Sequence, residues 1–196
     1  MSILALTSNT LVTAASGQIE YDGQFFATDS AASRAQLQRI VRATAVSASG
    51  TSVDFTGIPA WVERITVMFS GISTTGLNPY IVQIGSGSVS SSGYLSSTIA
   101  VQAGTTNSAG STSTAGFLFV NGIGASTYVY SGSIVIQNIS GNTWVESGVL
   151  TDTLAVRASI SGGNCTLGGV LDRIRVTTTT GVDTFDAGTI NIIYEG

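Results

Sequence analysis

The chain reads as an all-β protein: an antiparallel β-sandwich or jelly-roll-like domain preceded by a small hairpin-and-linker arm. Three observations predict this. Short runs rich in Val, Ile, Thr, Tyr and Phe recur from about residue 40 to the C-terminus. Gly, Ser and Asn clusters separate them at intervals of about ten residues, the spacing of a sandwich. No segment between them offers the crossover helix that parallel strands need.

Residues 1–16 have no strong period and read as an arm or a first strand. In residues 17–28, Ile19-Glu20-Tyr21 and Gln24-Phe25-Phe26 flank Asp22-Gly23. Asp-Gly between strand-like runs predicts a hairpin closed by a two-residue type I′ turn, because both turn positions need positive φ. Residues 29–40 are the one plausible helix, with Asp29 or Ser30 as cap, although an apolar stripe is barely present and a linker fits as well. The domain boundary is placed here: residues 1–42 as a docking or subunit-knitting arm, residues 43–196 as the sandwich.

The sandwich strands are expected at 38–46, 61–69, 80–84, 93–101, 117–120, 127–139, 143–150, 154–160, 171–178 and 184–194. In the second of these, Ile65, Val67 and Phe69 should share one face and Arg64, Thr66 and Met68 the other. Turns are expected at Gly85-Ser86-Gly87, Gly104 to Gly116, Asn121-Gly122, Ser140-Gly141-Asn142 and Gly162-Gly163-Asn164. Val62-Glu63-Arg64-Ile65-Thr66-Val67 and Leu171-Asp172-Arg173-Ile174-Arg175-Val176 echo each other as apolar-acid-Arg-Ile-x-Val. Six positions are too few to establish a repeat.

Composition narrows the function. Charged residues make up 9% of 196 positions, against roughly 25% in ordinary soluble domains. There are 27 Ser, 26 Thr and 24 Gly, no His, no Lys and one Cys. Without imidazole, catalysis by Ser-His-Asp or Cys-His pairs is excluded, as is Cys/His zinc. Schiff-base and P-loop lysines are excluded too. Seven scattered Arg against eleven acids give no basic face for nucleic acid. No run of 18 apolar residues predicts a membrane span, and the N-terminus lacks the basic region of a signal peptide. A lone Cys makes no internal disulfide. With a mean hydropathy of +0.38 the chain is too apolar to read as disordered.

Carboxylates are the acids and bases that remain. Glu63, Glu146, Asp152, Asp172, Asp183 and Asp186 are the candidates for a two-carboxylate glycan-cleaving site. Each has a plainer reading as a strand end, an Arg partner or a solubilising charge. Asp183-Thr184-Phe185-Asp186-Ala187-Gly188 is vaguely like a cation loop but lacks a third ligand and a closing Glu, so it reads as a turn. Asn138-Ile139-Ser140 and Asn164-Cys165-Thr166 match the glycosylation pattern by coincidence. Cys165 reads as a small buried residue, since no cation lies nearby in sequence to activate it. Arg34, Arg39 and Arg42, together with Tyr21, Phe25 and Phe26 of the hairpin, are the candidate interaction residues. Trp61, Tyr80, Tyr94, Tyr128, Tyr130 and Trp144 could line a glycan or protein site, but most should be core. No cofactor and no metal site is expected. A surface of small hydroxyls loses little side-chain entropy on packing, which suits a protein that works assembled with copies of itself or with a scaffold.

Two segments carry a family likeness. Gly17-Gln18-Ile19-Glu20-Tyr21-Asp22-Gly23-Gln24-Phe25-Phe26 resembles the G-x-I-E-Y-D-G hairpin of bacteriophage tail-fibre and related virion proteins. The stretch from Val53-Asp54-Phe55-Thr56-Gly57-Ile58-Pro59 through Trp61 to Val67-Met68-Phe69 resembles the V-D-F-T-G-I-P-x-W-V-x-R-I-T-V-M-F segment of phage tail proteins. Residues 171–177 and 185–195 are similar to the closing stretch of those proteins. The resemblance implies a virion structural protein, made in the host cytoplasm and placed on the tail or the capsid surface. It implies a β-sandwich that trimerises, packs on other virion proteins and contacts a host-surface glycan or protein, with no catalytic residues. A tail fibre or tail appendage is the leading expectation and a capsid decoration protein the alternative; a glycan-cleaving spike is more remote. A long shaft or docking domain usually precedes such a hairpin, and here only a few residues do, which leaves room for a capsid decoration protein, a short tail appendage or a fibre tip carried on another chain.

Overall fold

The computed structural model describes residues 19–21, 25–28, 31, 33–104, 109–121, 125–152, 154 and 156–196. The chain divides into two compact units, Met1–Arg39 and Ile40–Gly196. The described residues form strands and no helix.

The first unit is a three-stranded antiparallel sheet of β1 (Ile19–Tyr21), β2 (Phe25–Thr28) and β3 (Arg34–Gln36), in that order. Tyr21 pairs with Phe25, so three residues join β1 to β2 rather than the two expected. The turn residues themselves, like the expectation for 1–16, lie outside the described residues. The expected helix at 29–40 is corrected as well: Arg34–Gln36 pairs with β2, Thr28 opposite Arg34. With no apolar stripe to bury, helix propensity has nothing to act on, and the unpaired edge of β2 captures the segment.

The second unit opens with β4 (Ile40–Arg42), β5 (Val46–Ser47), β6 (Ser52–Thr56), β7 (Arg64–Thr74), β8 (Tyr80–Ser86) and β9 (Ser88–Val89). It continues with β10 (Tyr94–Gln102), β11 (Ala109–Ser113), β12 (Phe117–Val120), β13 (Tyr130–Ser140) and β14 (Thr143–Asp152). It ends with β15 (Arg157–Thr166), β16 (Arg173–Thr178) and β17 (Phe185–Glu195). The larger sheet runs β11-β10-β15-β14-β13-β7-β17-β4, with β5 also on β17. The smaller runs β12-β8-β16-β6, with β9 on β8. All described pairings are antiparallel, and the two sheets pack face to face as a β-sandwich. Because β4 pairs with β17, Ile40–Arg42 belongs to this unit and not to the arm.

The core follows the alternation read from the sequence. Ile65, Val67 and Phe69 are buried, while Arg64, Thr66 and Met68 lie outward on β7. Aromatic pairs bridge the two layers: Phe69 stacks on Phe119 at 4.8 Å, and Tyr80 meets Tyr130 at 5.7 Å and Phe185 at 5.9 Å. The six-residue echo opens one strand in each layer. Val62, Ile65 and Val67 are buried from the large sheet, and Leu171, Ile174 and Val176 from the small one. The ion pairs differ: Arg173 Nε donates to the adjacent Asp172 at 2.7 Å, whereas Arg64 pairs with Glu195 and not with Glu63.

Two expected turns hold strand residues. The expected turn from Gly104 to Gly116 contains β11, and Gly162-Gly163-Asn164 lies inside β15. A Cβ on Gly163 would stand 2.7 Å from the Leu95 carbonyl oxygen, so this glycine marks a close backbone approach in mid-strand. The Ser140-Gly141-Asn142 turn is present between β13 and β14, where Gly141 has a φ of 56°.

Candidate interaction surface

The six candidate carboxylates are engaged separately. Asp183 accepts from the Asn78 backbone N–H at 2.9 Å and from Asn78 Nδ2 at 2.8 Å, closing a turn. Asp186 accepts from the Ser73 hydroxyl. Asp172 accepts from Arg173 and from the Gly87 N–H, and the Arg173 guanidinium holds its carboxyl below the usual range. The exposed Glu63 uses its backbone, donating to the Glu195 carbonyl. Glu146 and Asp152 are buried, Asp152 Oδ1 accepting from the Leu154 N–H at 2.7 Å.

Glu146 belongs to an unusual part of the sandwich. On β10, β14 and β15 the inward positions carry Ser96, Thr98, Ser159 and Ser161 beside Glu146 and Asp152, all buried. The Ser161 hydroxyl donates to Glu146 Oε1 at 2.6 Å, and Oε2 has no hydrogen-bond partner. Burial pushes this carboxyl up to about 7, only partly opposed by Ser161. Ser96 Oγ accepts from the Leu118 N–H at 2.8 Å, which satisfies the edge of β12 across the layers. Apolar residues anchor the same inner side: Tyr94, Trp144, Leu150 and Cys165 are buried. Cys165 is thus the small core residue expected, and burial raises its thiol pKa.

The outer side of these strands reverses the usual polarity. Val149, Ile160 and Ile99 lie side by side in register across β14, β15 and β10. The neighbouring row is Thr151, Ala158 and Val101. Val149 is 50% exposed, Ile160 48% and Val101 52%. The outward positions at 95–101, 145–151 and 158–164 include no charged residue. Charges gather on the other half of the sheet, where Arg64 pairs with Glu195 and Arg42 lies opposite Ile193. Two open grooves mark the uncharged wing. One of about 600 Å³ runs along Ile99, Gly110 and Ile160, and one of about 630 Å³ along Val101, Val156 and Ala158. Between them they are lined by one acid, Asp152, and one base, Arg157, both at the margin of the second groove; the Arg157 guanidinium donates to the Asn121 carbonyl. Val156, exposed beside the second groove, has a φ of 48°, a strained conformation for a β-branched residue.

Of the other candidates, Tyr21 and Phe25 meet at 5.1 Å in the first unit, with Phe25 45% exposed and Phe26 half-buried. Arg34 pairs through its backbone with Thr28. Arg39 is half-buried at the end of that unit, and Arg42 is exposed in the other. Tyr80, Tyr94, Tyr130 and Trp144 are core, whereas Trp61 and Tyr128 are partly buried. The apolar wing is the surface that sequence reading missed. Its signal is the alternation of Leu95, Ile99 and Val101 with Ser96, Thr98 and Ala100, from which the apolar side is assigned inward by default.

No protein-family model matches this chain, and neither does any curated protein or solved structure.

Proposed function

We propose that the chain is a bacteriophage virion structural protein, a tail fibre or tail appendage that contacts the host surface and works assembled with copies of itself and with other virion proteins. The observation that carries the reading is the wing: a sheet face with no charge at its outward positions and with Leu95, Ile99, Val101, Val149 and Ile160 exposed, in a chain rich in Ser and Thr. Such a face suits a permanent neighbour. The likeness of residues 17–26, 53–69, 171–177 and 185–195 to phage tail proteins supports the virion assignment. The 53–69 segment supplies core to both layers, through Val53 and Phe55 of β6 and through Ile65, Val67 and Phe69 of β7. Contact with the host would be multivalent, with affinity coming from the number of copies.

Immunogold electron microscopy of virions, with antibody to this chain, tests the reading. Gold on the tail or its tip is the expected result. Gold spread over the head would replace the fibre by a capsid decoration protein, and virions without gold would overturn both.

A further inference from the structure

We infer that the outer face of β10, β14 and β15, continued by the edge strand β11, is the surface on which a second copy of this chain packs. The inference rests on the reading that the chain works in an assembly, and it names the partner of that surface. A sheet in a monomer turns its apolar side inward and its polar side to water. Here Ser96, Thr98, Ser159, Ser161 and Glu146 are inside, while Ile99, Val149 and Ile160 are outside. A slip in register does not explain the pattern, because Tyr94, Trp144, Leu150 and Cys165 hold the same strands with their inner side on the core.

Charge selects the occupant. Each chain carries a net charge of −4, so two copies repel over most of their surfaces. The outward positions of this wing carry no charge, so identical faces meet there without placing like charges against each other. A membrane surface would call for several cations or aromatics on the face and its rim; the outward positions hold neither, and the one cation at the margin, Arg157, donates to the Asn121 carbonyl. Size is also sufficient. Three strands about 30 Å long and the shorter β11 of about 17 Å, about 4.8 Å apart, project roughly 500 Å², before side-chain relief is counted. That is comparable with the roughly 800 Å² per partner of a standard interface. At the margin, β11 is the outer strand of the large sheet, and Ala109–Ser113 includes neither charge nor proline to guard its edge.

The test is light scattering and sedimentation velocity on the full chain, with Ile160→Arg, Val149→Arg and, as a control, Val182→Arg at an exposed position elsewhere. The wild type and Val182→Arg are expected as oligomers. Ile160→Arg and Val149→Arg should weaken self-association by about a hundredfold or more while keeping the β-sheet circular dichroism. In parallel, maleimide labelling of S147C, whose residue lies outward on β14, should slow at least about tenfold as protein concentration rises. A wild type that stays monomeric overturns the inference. So do arginine variants that assemble as the wild type does, or S147C labelling that ignores concentration. The virion reading is judged separately, by where the gold falls.

Discussion

The Tyr94 hydroxyl accepts a hydrogen bond from the Ile84 N–H at 2.8 Å and stands 3.2 Å from the Ile84 carbonyl oxygen. Tyr94 belongs to the large sheet and Ile84 to the small one, so one side chain ties the two layers together. Its ring packs edge-on against Phe117 at 5.0 Å, and the hydroxyl is also 3.1 Å from the Ser90 carbonyl. Replacing Tyr94 by Phe keeps the ring and leaves a buried backbone N–H without its acceptor. The expected cost is about 1–3 kcal/mol in urea unfolding. A change below about 0.5 kcal/mol would show that the Ile84 backbone finds another partner.

Glu146 makes stability depend on pH in a direction opposite to that of most carboxylates. Its carboxyl is raised from 4.5 to about 7 by burial, so the folded chain prefers the protonated acid. The unfolded chain ionises near the lower value. Between about pH 4.5 and 7 unfolding therefore releases a proton, and the stability contributed below the lower value is lost as pH rises through the upper one. The loss amounts to about 3 kcal/mol for this group and levels off above pH 7. Urea unfolding between pH 5 and 8 should show it in the wild type, and Glu146→Gln should flatten this part of the profile. An unchanged profile in that variant would assign the dependence to another group.

Adjacent glycines in β15 should respond oppositely to alanine. A Cβ at Gly163 would lie 2.7 Å from the Leu95 carbonyl oxygen and 2.8 Å from Ser96 Cα, both backbone atoms that cannot yield cheaply. At Gly162 the nearest atom would be the Glu146 carbonyl oxygen at an ordinary 3.7 Å. Gly163→Ala is expected to destabilise by about 2 kcal/mol or more. Gly162→Ala should be neutral or slightly stabilising, since it removes unfolded-state freedom without a clash. Equal effects at the two positions, measured by thermal unfolding, would contradict the register of β10 against β15.

The sequence by itself determined the class of this protein and much of its strand pattern. Period-two runs such as Ile65, Val67 and Phe69 can bury one side only as strands, and Ser140-Gly141-Asn142 can only turn, so both were legible locally. The absence of His and Lys removed whole families of chemistry for the same local reason. Tertiary structure decided what depends on distant neighbours. Arg34–Gln36 is a strand because β2 offers it an unpaired edge, which outweighs a weak helix propensity. Gly163 is a strand residue because Leu95 passes close by, a contact between residues far apart in the chain. The outward placement of Ile160 and Val149 was hidden for the same reason: alternation states that two sides differ, and only the packing of Tyr94, Trp144 and Leu150 against the second sheet decides which side faces water.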